Sequence, residues 1–438
     1  VPNGYLAQGA VAKSTIRDGA LDPDHAPGFQ LQASDRPTGY INELTFTDRF
    51  HRELSPAWLN YVAMLNGIPS RDFRQPFTYL DLGCGFAQST IVNAAAFPNA
   101  EFHACDFNPA HIEAAREHAA RMGVGNVVFH TTRFDELLEQ DLPAFDFILM
   151  HGIYSWVDAA VRDTLQRIVA RHLRDGGLVY LSYNCLPGWS VEAPLRKLML
   201  EISQATPGDM VARVQGALRT TRHIGNPSFR YFRDNPVAVE AVEAFSKDPV
   251  NYLAHEFFNG TWKVHYSVDV ADDMANAGLR YVGSATLADN HPMLVMDRQA
   301  VESIAALPNQ RLRHLAEDFA VNRRFRRDVF MRGTRSESGR APGDAVRILD
   351  DAVIGQVPGH DRLGSRVTIP RGALSFHPDF IDDLRALLAQ GPLRIGDLIA
   401  RLGPASHNPM EIRQNLLFLV ASGALMPFAL TGGEGRAA

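Results

Sequence analysis

Tyr79-Leu80-Asp81-Leu82-Gly83-Cys84-Gly85-Phe86-Ala87 decides how this chain is read. An apolar run from Phe77 ends in a carboxylate and two glycines, and residues 89–97 then carry a helical pattern. Glycines at a strand-to-helix turn let the backbone approach a ligand at the carboxyl end of a sheet. Two absences narrow the ligand. A dinucleotide fingerprint needs a third glycine, but position 88 is Gln, and the turn has no lysine of the phosphate-cradling kind. Instead Asp81 precedes the glycines, where its charge attracts a positive group. Asp106 closes the next apolar run, from Glu101, and a carboxylate there accepts both hydroxyls of a ribose. A ribosyl ligand with a cationic end and no phosphate points to S-adenosylmethionine.

Outward from this turn the pattern alternates. Strands are expected at 77–82, 101–106, 126–130, 145–150 and 178–183, with helices at 89–97, 109–122 and 157–173. Such alternation predicts an α/β fold, a Rossmann-like parallel sheet with helices on both faces. Before it, Ser55-Pro56 reads as an N-cap with Pro at the first helical position, followed by Trp58, Leu59, Val62 and Leu65 at helical spacing. The loop after the third strand, Thr131-Thr132-Arg133-Phe134-Asp135, lies beside an adenine in this architecture, with Phe134 as a packing face and Asp135 as a candidate for its amino group.

The domain reading runs as follows. Residues 1–39 form a loose N-terminal arm and 40–200 the S-adenosylmethionine-binding domain. A helical insertion covers 201–260, and 261–300 complete the sheet with strands at 279–283 and 292–297. Residues 301–367 are a linker with a basic segment, and 368–438 a C-terminal, mostly helical, winged-helix-like domain with helices near 378–389, 394–402 and 409–422. Arg323 to Arg327 either grip an acidic or phosphorylated group or form a solvated segment anchored by Phe325; the second reading is preferred.

The fourth strand runs into His151-Gly152-Ile153-Tyr154-Ser155-Trp156 and the fifth into Ser182-Tyr183-Asn184 with Pro187-Gly188-Trp189. Strand ends of a doubly wound sheet face the ligand crevice. Methyl transfer needs an oriented nucleophile and exclusion of water more than acid–base chemistry. Tyr154 and Asn184 are candidates to orient an acceptor, His151 to take its proton, and Trp156 to face a cation. Core packing is the competing explanation for each aromatic. The expected cofactor contacts are Asp81, Gly83, Cys84, Gly85, Phe86, Asp106, Phe107, Asn108, Arg133, Phe134 and His151. No metal is expected, since His255-Glu256 lacks a second histidine at position 259, which is Asn. There is also no Asn-Pro-Pro-aromatic motif after the fourth strand and no Pro-Cys pair.

Bulk properties agree with an ordinary globular enzyme. The chain has 438 residues, 46% of them hydrophobic and 21% charged, with a formal net charge of −6 that disfavours nucleic acid as a partner. Three cysteines without a C-x-x-C pair suit reduced thiols in the cytoplasm. No run is apolar enough to span a bilayer, and residues 1–18 lack signal-peptide features.

The Asp81–Gly85 turn and Asp106 resemble the first two motifs of class I methyltransferases. The strings His151-Gly152-Ile153-Tyr154-Ser155-Trp156-Val157, Ser182-Tyr183-Asn184, Tyr252-Leu253-Ala254-His255-Glu256-Phe257-Phe258-Asn259 and Asn322-Arg323-Arg324-Phe325-Arg326-Arg327-Asp328 narrow the match. They resemble bacterial members that carry a methyltransferase regulatory domain, over about residues 40–330. Rickettsial enzymes that methylate lysines of an outer-membrane protein look similar. The resemblance implies S-adenosylmethionine as cofactor, S-adenosylhomocysteine as product, and a protein lysine as acceptor. It also implies that the insertion and the C-terminal unit bind substrate or mediate homodimerisation. A small-molecule acceptor and a non-catalytic S-adenosylmethionine-binding regulator are the alternatives.

Overall fold

The computed structural model describes residues 49–69, 71–333, 344–357, 362–406 and 408–430, so the expected arm over 1–39 lies outside the described residues. Helix α1 (Pro56–Leu65) starts at Pro56 as the sequence predicts and is buried on nearly every side. The alternating region follows: β1 (Thr78–Leu82), α2 (Gln88–Ala96), β2 (Glu101–Asp106), α3 (Pro109–Arg121), β3 (Val127–Thr131), α4 (Phe134–Leu138), β4 (Phe145–Met150), α5 (Ala159–His172) and β5 (Leu173–Asn184). β4, Phe-Asp-Phe-Ile-Leu-Met, is buried along its whole length, as a parallel strand covered on both faces must be. Local signals set the helix starts. Asn108 accepts the Ala110 N–H ahead of Pro109, and Asp158 accepts the Val161 N–H.

β5 is longer than expected. The glycines of Asp175-Gly176-Gly177 do not end a helix and a loop but sit inside the strand, where its register against β4 shifts. Gly176 takes φ +77° there, the kind of residue a bulge accommodates.

Beyond β5 come the helices α6 (Glu192–Ala205), α7 (Met210–Ile224), α8 (Arg230–Asp234), α9 (Pro236–Phe245) and α10 (Val250–Phe257). They bury their own core, which includes Trp189, Met199, Val214, Phe245 and Phe257. α11 (Ser267–Asn276) leads to β6 (Leu279–Ser284), then α12 (Pro292–Val295), α13 (Arg298–Ala305), α14 (Gln310–Ala320) and β7 (Phe325–Arg332).

Two expectations fail here. Residues 292–297 are not a strand: Pro292 has no N–H for a ladder and instead opens the short helix α12. The strand that pairs with β6 is β7, inside the supposed linker and its basic segment. β7 also pairs antiparallel with β5, so the sheet order is β3-β2-β1-β4-β5-β7-β6. The basic run is not solvated at its centre, because Arg326 and Asp328 neutralise one another inside the protein.

The C-terminal unit contains α15 (Asp344–Asp350), β8 (Val353–Gly355), β9 (Arg366–Ile369), β10 (Gly372–Ser375), α16 (Pro378–Leu388), β11 (Leu393–Arg394), α17 (Ile395–Ser406), α18 (Pro409–Ala421) and β12 (Met426–Phe428). β8, β11 and β12 form a small sheet and β9 pairs with β10. α1 joins this unit to the main sheet. Leu59 and Val62 share one apolar cluster with Tyr79 and Phe147 and with Phe380 and Leu416, and the Trp58 indole donates to Ala285 O at 2.8 Å. Each fully buried aliphatic side chain contributes roughly 1.5–3 kcal/mol to that junction. Among the described residues no helix is long and apolar enough to cross a membrane.

Candidate active site

β1 and β4 are neighbours, yet the chain moves outward from β1 through β2 to β3 and from β4 through β5 in the other direction. The crevice above their carboxyl ends is therefore the switch point where an open α/β sheet takes its ligand.

The glycine turn is fixed from below and open above. The N–H groups of Gly83 and Cys84 both donate to Cys105 O, at 2.8 and 3.0 Å, which ties the turn to β2. Gly83 has φ +71°, and a Cβ there would lie 2.5 Å from Ile153 Cδ1. Gly85 also has positive φ, but a Cβ on it would meet nothing within 4 Å. Ala87 is held left-handed at φ 52° where α2 begins. For a residue with a Cβ this costs roughly 1–2 kcal/mol, strain stored beside the crevice.

Asp106, only 7% exposed, receives the Gly85 N–H on Oδ2 at 3.0 Å and the Asn108 N–H on Oδ1 at 2.9 Å. His111 Nδ1 stands 3.4 Å from Oδ1. A carboxylate offers about four lone-pair positions, so acceptor capacity remains for a ribose diol. Asp81 is 4% exposed and takes a 2.6 Å hydrogen bond from the Thr90 hydroxyl. No ion pair to it occurs among the described residues. Burial pushes its carboxyl up to about 6, with Thr90 pulling down and the Asp106 charge pushing further up. A buried carboxylate without a cation is suited to the positive end of a ligand.

The other expected cofactor contacts gather around this turn with different degrees of freedom. Phe134 Cζ comes within 3.7 Å of a Cβ built on Gly83. Cys84 and Phe86 are half-buried in the turn, Phe86 with its ring 4.6 Å from that of His111. Phe107 and Asn108 are half-buried after β2, and the Asn108 side chain is occupied in capping α3. Arg133 is exposed and paired with Asp135 at 3.1 Å.

The expected catalytic residues divide. His151 is half-buried at the end of β4, with Nδ1 2.9 Å from the Tyr180 hydroxyl and 3.3 Å from Ser182 Oγ. Burial holds its imidazole well below the ordinary histidine range, with His51 and Arg327 adding to the effect. Tyr154 is fully buried and donates to Asp273 Oδ2 at 2.7 Å. Its hydroxyl, which the sequence reading assigns to orienting an acceptor, is thus committed to Asp273. Asn184 is 3% exposed, and its Nδ2 has no hydrogen-bond partner among the described residues. Its carbonyl accepts the N–H of His265, whose ring lies 5.2 Å from that of Tyr154. Trp156 is half-buried, with its backbone N–H on Ile153 O at 2.7 Å.

Several residues at the crevice carry no signal in the sequence. His51 stands alone ahead of α1, yet its N–H reaches Ser89 Oγ at 2.8 Å and its ring lies 4.2 Å from that of His151. Tyr180 reads as one more apolar position of β5. Arg327 reads as part of a basic run.

Residues 80–179 match a family described as "Methyltransferase domain", and residues 249–332 one described as "Predicted methyltransferase regulatory domain". The uncharacterized protein sll1526 of Synechocystis sp. is 33% identical over 360 residues, covering 82% of this chain and 71% of that protein. The uncharacterized protein RP789 of Rickettsia prowazekii is 27% identical over 276 residues, or 62% of this chain and 49% of that one. In structure the chain is similar to PKMT2 from Rickettsia typhi in complex with AdoHcy, with a TM-score of 0.67, 18% identity, and 88% of this chain and 77% of that chain covered.

Proposed function

The chain belongs to the family of class I methyltransferases that carry a methyltransferase regulatory domain, and from that membership we propose that it methylates the side-chain amine of protein lysines with S-adenosylmethionine. The observation that carries the cofactor half is the pair of buried carboxylates at the switch point. Asp106 keeps acceptor capacity and Asp81 lacks a cation, with open space above Gly85 between the two strand ends. The fold shared with a rickettsial protein solved in complex with AdoHcy supports the same ligand here.

Bound S-adenosylmethionine supplies a methyl group activated by a sulfonium. The protein's own part is positional. Asp106 accepts the ribose hydroxyls, Asp81 balances the cationic end, Gly85 clears the path and Phe134 packs on the adenine. An amine acceptor must be neutral to react, and free lysine has a pKa of about 10.4. Burial and the Arg327 charge, which hold His151 neutral, disfavour an ammonium at the same place. The lysine assignment draws on this neutral imidazole and on the resemblance to the rickettsial enzymes. The helices α6–α10 and the C-terminal unit serve in this reading to dock a protein substrate or a second copy of the chain.

The test is the partition of methyl label. The protein is incubated with labelled S-adenosylmethionine and a host lysate, beside Asp106→Ala. Label on discrete proteins, recovered as N-methyl-lysine and lost in the variant, is the expected result. Label in small molecules alone replaces the acceptor and keeps the enzyme class. Cofactor binding without any transfer favours a regulator.

A further inference from the structure

His51 lies across the crevice. Its backbone is tied to Ser89 in the first turn of α2, and its ring rests against His151 at the end of β4. The His151 ring is itself oriented from behind. The Tyr180 hydroxyl stands 2.9 Å from its Nδ1 and Ser182 Oγ 3.3 Å from the same nitrogen. Nδ1 of His151 is therefore committed to these two hydroxyls. His51 is left as the neighbouring imidazole with no hydrogen bond to its ring nitrogens among the described residues, and it is half-buried rather than sealed.

We propose that His51 is the catalytic group that accepts the proton of the substrate amine, with His151, Tyr180 and Arg327 as the positioning residues behind it. This inference rests on the amine-methylation reading above. In the step, the acceptor ammonium gives one proton to a His51 ring nitrogen. The freed lone pair forms the N–CH3 bond as the C–S bond breaks with its electron pair left on sulfur, and His51 returns the proton to water. The groups facing His51 favour its neutral, accepting form. Burial lowers its pKa, and Arg327 of β7 and Arg49 of its own segment lower it further against Glu53. Ser89 of α2 and the neutral ring of His151 complete its surroundings. Placement explains why His51 and not His151 plays this part: Nδ1 of His151 is committed, whereas the His51 ring is not.

The experiment compares wild type with His51→Gln at saturating S-adenosylmethionine, with host lysate as acceptor and N-methyl-lysine as the product measured. General-base removal is expected to slow transfer by about 100-fold while cofactor affinity holds within about twofold. The decisive readout is the pH profile. Because the ammonium itself gives the proton to His51, wild type is expected to hold its rate down to the pH, below about 6.5, at which His51 protonates, and then to fall with slope one, whereas the variant needs the free neutral amine and falls with slope one from the amine pKa of about 10.4 downward. Exogenous imidazole is expected to restore part of the rate in His51→Ala, which guards against a folding defect. Unchanged turnover, or a rate plateau between about pH 6.5 and 10 retained in the variant, overturns the assignment of His51 alone. Absence of N-methyl-lysine from the wild-type reaction overturns the functional reading and this inference with it.

Discussion

The two ends of the seven-stranded sheet treat buried charge in opposite ways. Over β1 and β2, Asp81 and Asp106 are buried with hydrogen-bonding capacity to spare, and among the described residues no lysine or arginine neutralises them. Over β5, β7 and β6, every buried charge is answered. Arg326 Nε spans both oxygens of Asp328 at 3.0 Å, and its Nη1 meets Asp318 at 2.5 Å. The Ser267 hydroxyl donates to the other oxygen of Asp318 at 2.5 Å, and the Tyr183 hydroxyl donates to Oδ2 of Asp328 at 2.6 Å. The two ends are equally buried, so burial does not separate function from structure. Spare valence does: a saturated network holds strands together, while an unsaturated one waits for a ligand.

If that distinction is right, the largest effect of any single substitution on stability falls at the saturated end. Arg326→Ala leaves Asp328 as an unpaired buried carboxylate and leaves Asp318, which has no exposed surface, with only Arg323 at 3.6 Å. Breaking such a pair costs about 3–5 kcal/mol, enough to unfold many domains. Denaturant titration reads it directly. A loss below about 1 kcal/mol, the scale of an exposed ion pair, would mean that the network is not the lock between β5 and β7.

At the unsaturated end the same kind of truncation moves binding more than folding. On the proposed cofactor placement Asp106→Ala removes two charge-assisted hydrogen bonds to the ribose, and affinity for S-adenosylmethionine is expected to fall about 100-fold. Titration calorimetry measures it beside a melting curve. Unchanged affinity would remove Asp106 from the cofactor site, and a stability loss rivalling that of Arg326→Ala would erase the contrast between the two ends.

A smaller effect comes from proton linkage at Asp81. Its carboxyl is raised to about 6 by burial, so the ligand-free fold favours the protonated form. The contribution to folding is fully present below the ordinary carboxylate range and is lost as pH rises through about 6. A cationic ligand end has the opposite preference, for the ionised form. Cofactor affinity is therefore expected to weaken by up to about tenfold per pH unit as pH falls below 6. Asp81→Asn binds more weakly at neutral pH and shows a flatter profile. A pH-independent affinity in the wild type would mean that the cation does not sit on Asp81.

This contrast also explains what the amino-acid sequence disclosed. The β1–β2 end was legible because its chemistry is local: two glycines and a carboxylate in one turn, and a second carboxylate at the end of the next strand. β7 was not, because its pattern is masked. Phe325, Val329 and Phe330 lie among Arg326, Arg327 and Asp328, and the alternation appears only once Asp318 and Tyr183, distant in sequence, neutralise the polar face. His51 was hidden for the same reason. A lone histidine before a helix carries no signal until β4 brings His151 against it. The C-terminal helices were placed closely because each starts at its own local cue, such as Pro378 after His377 and Pro409 after Asn408. Pro292 carried the same cue ahead of α12, and the strand assigned to 292–297 overlooked it.

The smallest predicted effect is the one that separates the two ends at a single residue. Tyr154 belongs to the loop after β4, within the crevice by sequence, but its ring is buried and its hydroxyl serves Asp273 of α11. By the valence argument it is part of the structure. Tyr154→Phe removes one hydrogen bond to a partly exposed carboxylate, so stability is expected to fall by about 1 kcal/mol. Turnover should stay within about threefold of wild type, because no group that meets the acceptor has been touched. Were Tyr154 instead to orient the nucleophile, transfer would slow by about 100-fold at unchanged cofactor affinity. That outcome would show that a committed, buried hydroxyl can be released to the crevice, and spare valence in the resting fold would no longer tell a catalytic group from a structural one.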